Sequence, residues 1–412
     1  MKKSNLKDCL LQYSLIILII FDFNTIYYNS SNYTSFNAIN KSLIILIIIC
    51  NILNNGININ KMKKCLTYVF LYYIYIISFS IITTFYGRYQ INEFIFSFII
   101  IVPLFIILFY LKGKDYLKSI TNKFIDVIFL LCIVSLFFYI FGSILKVINN
   151  TKYVNTTWGW REQIKCYYNI YFETQYIGIG KNNFIIPRNS LFFCEPAMFS
   201  VLIVFATMLN KVNKNYKKFT IIFLITQLTT DSTTGIIITI AFYVIEFMIQ
   251  NKKKKIGVIF IPVIAIVATI GVLSITQNKL DTSSGSTRMD DIKACIQAWK
   301  DNPVIGNGFL NNKNVEMYLS SFRKGNTGLS TSFFIILAHG GIYFLSIFVY
   351  SFSQIAIYFL KNKNIHKFVI TIMYVIIFIT TIFEYTVFSM LIISIGLVIK
   401  SFNTEEIEEK NG

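Results

Sequence analysis

Long apolar runs alternate with short polar breaks along almost the whole chain. A run of about twenty mostly apolar residues is long enough to cross a bilayer. Such runs fall at roughly 9–28, 41–54, 65–85, 94–112, 124–148, 191–210, 219–232, 233–250, 256–275, 330–360, 368–384 and 386–402. The pattern predicts an all-α fold: one integral domain over residues 1–412, a polytopic membrane bundle of about 12 helices. The runs at 41–54, 219–232 and 233–250 are short for that role. No small-residue cleavage site follows the first run, so it reads as a retained helix. No internal repeat is visible.

Two segments break the rhythm, about 149–190 and about 276–329, and both fall on the outward side of the predicted topology. Loops beyond about fifteen residues in a compact domain are usually functional or disordered, and the aromatics, glycines and turn residues of these two favour function. In the second, Thr287-Arg288-Met289-Asp290 fits a capping box. Met289, Ile292, Ile296 and Trp299 then recur at helical spacing, with Asp290, Asp291, Lys293 and Lys300 between them. That predicts an amphipathic helix on the outer membrane surface or capping the bundle, ended by Asn302-Pro303. Residues 219–250 leave one lysine cluster and reach the next within about thirty residues, which two short helices just span at about 1.5 Å per residue. Their polar tip, Thr229 to Gly235, must lie against protein or water. The same holds for the tip carrying Glu384.

Composition agrees: 55% of the residues are hydrophobic and 14% charged, against about 25% charged in a typical soluble domain. The net charge of +18 is topogenic. Lysines cluster at every second turn between runs, as at Lys61, Lys63 and Lys64 or at Lys252 to Lys255. This positive-inside bias puts both termini in the cytoplasm of a multi-pass inner-membrane protein and argues against nucleic acid as a partner. The seven cysteines show no metal spacing, and the two histidines, His339 and His366, are too few and too far apart for zinc. No metal and no cofactor are implied. A disulfide between Cys166 and Cys295, the two cysteines in the long loops, stays open.

The arginines point to chemistry. Against 33 lysines there are five arginines, Arg88, Arg161, Arg188, Arg288 and Arg323, all on the outer side in this topology. Where composition supplies lysine by default, arginine marks places that need its planar fork, which suits phosphate or carboxylate. Interfacial anchoring is the plain alternative. The stretch Arg188-Asn-Ser-Leu-Phe-Phe-Cys-Glu195-Pro196 opens an apolar run with an acid, a costly residue inside a membrane. Glu195 reads either as a functional carboxylate or as the cap of a helix that starts at Pro196. Trp158, Trp160, Tyr167, Tyr168 and Tyr171 read equally as a sugar-stacking platform or as an interfacial aromatic belt.

The series Arg188-x-Ser190-x-x-Phe193-x-Glu195-Pro196 resembles the motif of Wzy-type polysaccharide polymerases and O-antigen ligases. Arg288, Trp299, Pro303, Gly306 and Gly308 resemble that family's later Arg, Trp, Pro, Gly-x-Gly series. The Thr230 to Gly235 tip is similar to its Ser/Thr-rich hairpin. The likeness covers about 188–345. The His-Asn pair that ligases usually carry before a later glycine is replaced by Leu329-Ser330-Thr331, with His339 directly before Gly340-Gly341, which favours polymerase over ligase.

The resemblance implies a metal-independent glycosyltransferase. It would join oligosaccharide repeat units carried on undecaprenyl pyrophosphate, such as O-antigen or capsule units, at the outer face of the bacterial cytoplasmic membrane. The bilayer and a chain-length regulator would be its partners. Arg188 and Arg288, with Arg161, would bind the pyrophosphate leaving group; Trp158 and Trp160 would contact sugar; Asp231 would orient the hairpin tip. Glu195, or in second place His339, would take the acceptor proton. The competing classes are a lipid-linked oligosaccharide flippase, which would favour ionisable groups near the midplane and repeated halves, an O-antigen-type ligase, and a membrane anchor without activity.

Overall fold

The computed structural model describes residues 6–54, 58–86, 91–156, 163–179, 184–250, 283–323 and 327–402. Arg88, Trp158, Trp160, Arg161 and the run at 256–275 lie outside them. The chain is mostly helical. Among the described residues, six helical runs are long and apolar enough to cross a membrane: Phe36–Leu53, Ile59–Thr83, Ile91–Ile144, Pro196–Lys214, Thr233–Gln250 and Ser332–Lys361. Ile365–Thr380 and Val387–Val398 are apolar but shorter, as is Leu6–Phe21, 16 residues long. The run Ile91–Ile144 is broken at Gly113 (φ 68°, ψ −161°), a left-handed conformation that glycine adopts without strain. It therefore supplies two helices, where the apolar pattern placed 94–112 and 124–148.

The chain forms two compact units. The first comprises Met1–Leu15, Leu43–Ser119 and Thr276–Gly412. In it, helices Ser332–Lys361, Ile365–Thr380 and Val387–Val398 pack together. Gly396 lets two of them touch, since a Cβ there would lie 2.5 Å from the Ser351 carbonyl oxygen. Small residues serve this role between membrane helices. Helix Ser283–Asp301 buries Ala294, Cys295 and Ala298 against Ile335 and Ala338. It starts at Ser283, one turn before the Thr287 capping box, and Asp290 and Asp291 face inward instead of lining a solvent face. The cause is a partner distant in sequence, Arg323.

The helix Ser332–Lys361 is broken at Gly341 (φ 60°, ψ −165°). A break leaves peptide groups unpaired, which a membrane tolerates only where protein pairs them. The turn Pro303–Gly308 does so. Ile342 and Tyr343 donate their N–H groups to the Pro303 and Val304 carbonyls (3.0 and 2.8 Å). The Ala338 and His339 carbonyls accept from the N–H groups of Asn307 and Gly308 (3.0 and 2.9 Å). Gly306 makes this approach possible: a Cβ there would lie 2.4 Å from the His339 carbonyl oxygen.

The second unit comprises Ile16–Ser42 and Ile120–Ile275. Helices Pro196–Leu209, Lys217–Thr229 and Thr233–Gln250 form its bundle. Its long loop is no irregular connection, which corrects the all-α expectation. Strands β1 (Lys152–Asn155), β2 (Gln163–Tyr167) and β3 (Tyr171–Glu173) form an antiparallel sheet in that order. Strands β4 (Tyr176–Ile179) and β5 (Phe184–Pro187) form a separate hairpin. The alternation suits a half-buried strand: Val154, Ile164 and Cys166 are buried, whereas Lys152, Tyr153 and Gln163 are exposed.

The helix expected from Leu191 begins only at Pro196. Before it the chain runs alongside the segment that follows helix Leu6–Phe21. Ile26 donates its N–H to the Phe192 carbonyl (2.9 Å) and Cys194 to the Asn24 carbonyl (3.0 Å). Glu195 then takes the N-cap position with an extended backbone (φ −135°). All seven cysteines are free thiols, so Cys166 and Cys295 are not joined.

Candidate functional site

In the second unit the opening motif and the hairpin tip meet. Arg188 follows β5 and extends its ladder, donating its main-chain N–H to the Gln175 carbonyl (2.9 Å). Its guanidinium then reaches the tip between helices Lys217–Thr229 and Thr233–Gln250. Nε donates to the Thr230 carbonyl (3.0 Å), Nη2 to the Asp231 carbonyl (2.9 Å) and Nη1 to Gln175 Oε1 (2.8 Å). Three of its five N–H directions thus go to protein oxygens, in a fan that lysine's single ammonium has no geometry to match. Asn189 adds a second tie: its N–H donates to the Thr229 carbonyl (3.0 Å) and its Nδ2 to Thr229 Oγ1 and Ser135 Oγ (3.0 and 3.2 Å). Asp231 itself has a left-handed backbone (φ 48°), a conformation Asp tolerates better than most residues.

Glu195 is half-buried and makes no side-chain cap bond to its helix. Pro196 suits the first helical position because it has no N–H to leave unpaired. Below the tip, Gln227 Nε2 donates to Ser200 Oγ (2.7 Å). Gly235 packs so closely on this pair that a Cβ would lie 2.0 Å from the Ser200 hydroxyl. Sequence reading identified Arg188, Glu195 and Asp231. It missed Gln175, which shares Arg188, and Glu173, which anchors the sheet.

Glu173 is buried in β3. It accepts from the hydroxyls of Ser143 (2.8 Å), Tyr167 (2.7 Å) and Tyr176, and Lys165 Nζ lies 3.5 Å away. Burial works to raise this carboxyl's pKa, but the Tyr176, Tyr167 and Ser143 hydroxyls, with the Lys165 charge, hold it below the usual carboxylate range. Hydrogen bonds to the charged form have this effect. The signal in the sequence was the hydroxyl-rich run Tyr167 to Tyr176 around one acid.

Of the other predicted residues, Trp158, Trp160 and Arg161 lie outside the described residues, and Arg288 and His339 belong to the first unit. Arg288 is half-buried on helix Ser283–Asp301. His339 is buried in helix Ser332–Lys361, just before its break, with Nδ1 3.1 Å from the Tyr385 hydroxyl and Nε2 2.9 Å from Asn312 Oδ1. With Nε2–H donating to the Asn312 oxygen, Nδ1 is left to accept from Tyr385. Arg323 is buried too. Its Nη1 lies 2.5 Å from Asp291 and 3.5 Å from Asp290, and Nη2 donates to the Gly328 carbonyl (2.6 Å). Ser330 Oγ donates to the other Asp291 oxygen (2.5 Å). Burial raises the Asp291 carboxyl against the pull of Ser330 and Arg323. Arg323 therefore staples the start of this helix to the segment before Ser332. No local pattern announces a partner 32 residues away.

Among the described residues no group of His, Cys, Asp and Glu side chains is placed to hold a metal ion. By helix length and hydropathy the chain is a multi-pass membrane protein. No known family model matches it, and no curated protein matches it.

Proposed function

We propose that this protein is a membrane glycan polymerase of the bacterial inner membrane with both termini in the cytoplasm. It acts on oligosaccharide repeat units linked to undecaprenyl pyrophosphate and transfers one glycan onto the next. The bond broken joins the donor's anomeric carbon to pyrophosphate oxygen; the bond formed joins that carbon to an acceptor hydroxyl. The hydroxyl proton passes to a base, and the pyrophosphate-linked carrier leaves as an anion. The observation that carries this reading is the Arg188 guanidinium fixed on the Thr230–Asp231 tip of the bundle whose helix Pro196–Leu209 opens on Glu195. A fixed guanidinium and the positive end of helix Pro196–Leu209 suit an anionic leaving group, and Glu195 is the carboxylate proposed as the base. For Arg288 the assignment rests on the motif resemblance, for His339 on its place directly before Gly340-Gly341, and for Arg161, Trp158 and Trp160 on the arginine and aromatic content of the first long loop.

A second reading, a lipid-linked oligosaccharide flippase, draws on one feature of the same bundle. Glu246 is buried in the membrane-length helix Thr233–Gln250, and an ionisable residue inside a span marks function by default. The glycan profile of a deletion strain separates the two. A polymerase leaves one repeat unit attached to its acceptor and no longer ladder. Loss of even that single outer unit would overturn the polymerase reading in favour of a flippase or a ligase.

A further inference from the structure

Two oxygens buried close to one hairpin tip of the first unit have no hydrogen-bond partner: Glu384 Oε2 and Thr331 Oγ1. Their residues are 8% and 2% exposed. Glu384 lies in the tip that joins helices Ile365–Thr380 and Val387–Val398, and Thr331 is the N-cap of Ser332–Lys361, with no side-chain cap bond. Ser332 knots these segments together. Its N–H and hydroxyl donate to the Thr381 carbonyl (3.1 and 2.6 Å), and its oxygen accepts from the Phe383 N–H (2.8 Å). Thr331 and Glu384 are each one residue away from this hydrogen-bonded pair, Ser332 and Phe383.

Ser332 and the Glu384 and Phe383 backbone interact with the carboxyl, but no cation among its described ionisable neighbours compensates its charge. Helix Ser283–Asp301 brings Asp291 and Cys295, and the Cys295 thiol lies within electrostatic reach of both Asp291 and Glu384. The cation next to Asp291, Arg323, is bound to Asp291 and Asp290. Helix Ser332–Lys361 brings His339, tied to Asn312 and Tyr385, and the tip itself brings Tyr385. A carboxylate oxygen buried with no donor is costly, and a bound proton or small cation removes that cost.

We propose that Glu384 and Thr331 form a buried binding site for a small monovalent cation, a proton or a sodium ion. The Glu384 oxygen supplies the charge and the Thr331 hydroxyl the second oxygen. Neither residue belongs to the Arg188 constellation, so the site stands whether or not the polymerase reading does.

A hydrophobic carbodiimide tests it on the purified, full-length protein. The reagent adds across its C=N bond to a protonated carboxyl, whose proton moves to nitrogen, and it spares a carboxylate or a cation-bound one. Peptide mass spectrometry should find Glu384 modified at low pH and progressively spared between about pH 5 and pH 9. Sodium chloride, compared at fixed pH with choline chloride, decides the occupant: protection by sodium marks a sodium site, and indifference to sodium with a pH response marks a proton site. Thr331→Val should shift the pH midpoint by about one unit, or raise the sodium needed for half protection about tenfold. Because reagent access can fail, the infrared band of a protonated carboxyl that Glu384→Gln removes provides a second reading. A band that is missing at every pH, with no modification and no response to sodium, overturns the site. An unmoved midpoint in Thr331→Val overturns the part of Thr331.

Discussion

The two polar hairpin tips look alike in sequence and are held in opposite ways. Each joins two apolar helices and carries one acid, Asp231 in the second unit and Glu384 in the first. The Thr230–Asp231 tip is gripped from outside its hairpin, by the Arg188 guanidinium on two carbonyls and by Asn189 on Thr229. The Glu384 tip is tied by one hydroxyl, Ser332, and leaves a carboxylate oxygen bare. An acid at a membrane hairpin tip can thus sit on a finished scaffold or on an unfinished one. The first suits a site whose geometry must be fixed, and the second suits a site that waits for a small ligand.

The largest effect should come from the gripped tip. Arg188→Lys keeps the charge and loses the fan of three bonds. One charge-assisted bond lost corresponds to roughly 1.5–3 kcal/mol, or about ten- to a hundred-fold in rate where it acts in the transition state. Polymer yield and ladder length should fall by that order while membrane abundance stays near normal. A near-normal ladder would mean that the charge alone suffices and that the fan is dispensable.

A smaller effect is expected at the knotted tip. Ser332→Ala strips the partner from the Phe383 N–H and one from the Thr381 carbonyl. Leaving a buried group unsatisfied costs about 1–3 kcal/mol, so the thermal midpoint in detergent should drop by a few degrees. Ser353→Ala, whose exposed hydroxyl bonds only to its own helix at Val349, should leave it unchanged. If both substitutions behave alike, Ser332 does not tie the tip.

The smallest effect concerns the sheet beside the gripped tip. The folded-state pKa of Glu173 is depressed, so its contribution to stability is fully present above the ordinary carboxylate range. It is lost as pH falls through the depressed folded value. Protease cleavage within residues 152–187 should therefore rise a few-fold on the acid side of that range, and Glu173→Gln should flatten the dependence. A wild-type acid limb in the Gln variant would assign the effect to another group.

Much of this was legible in the chain. Apolar runs located the helices, and Gly113 broke one long run where lysines interrupted the pattern. Glu195-Pro196 marked a helix start, because proline's missing N–H and fixed φ favour the first helical position. What escaped was non-local. The strands of residues 152–187 are short, and their pairing depends on partners that no single window contains. Leu191 to Cys194 are apolar enough to continue a span, yet they pair as extended chain with residues 24–26. Asp290 and Asp291 look like the solvent face of an amphipathic helix until Arg323 is brought to them. Of the candidate site, Arg188 and its tip could be matched by motif, but Gln175 completes the fan through a hairpin register that sequence does not reveal.

The broken helix at Gly341 bears on biosynthesis. The turn Pro303–Gly308 leaves the ribosome before the half-helix it completes, and its carbonyls at Pro303 and Val304 wait for Ile342 and Tyr343 to be made. Before the two meet, Ile342 and Tyr343 can donate within a continuous helix to Ala338 and His339, four residues back, so the run can enter lipid with its peptide groups paired. Meeting the turn exchanges those partners for Pro303 and Val304. The break is thus a late step of maturation, made by a segment encoded in the same polypeptide.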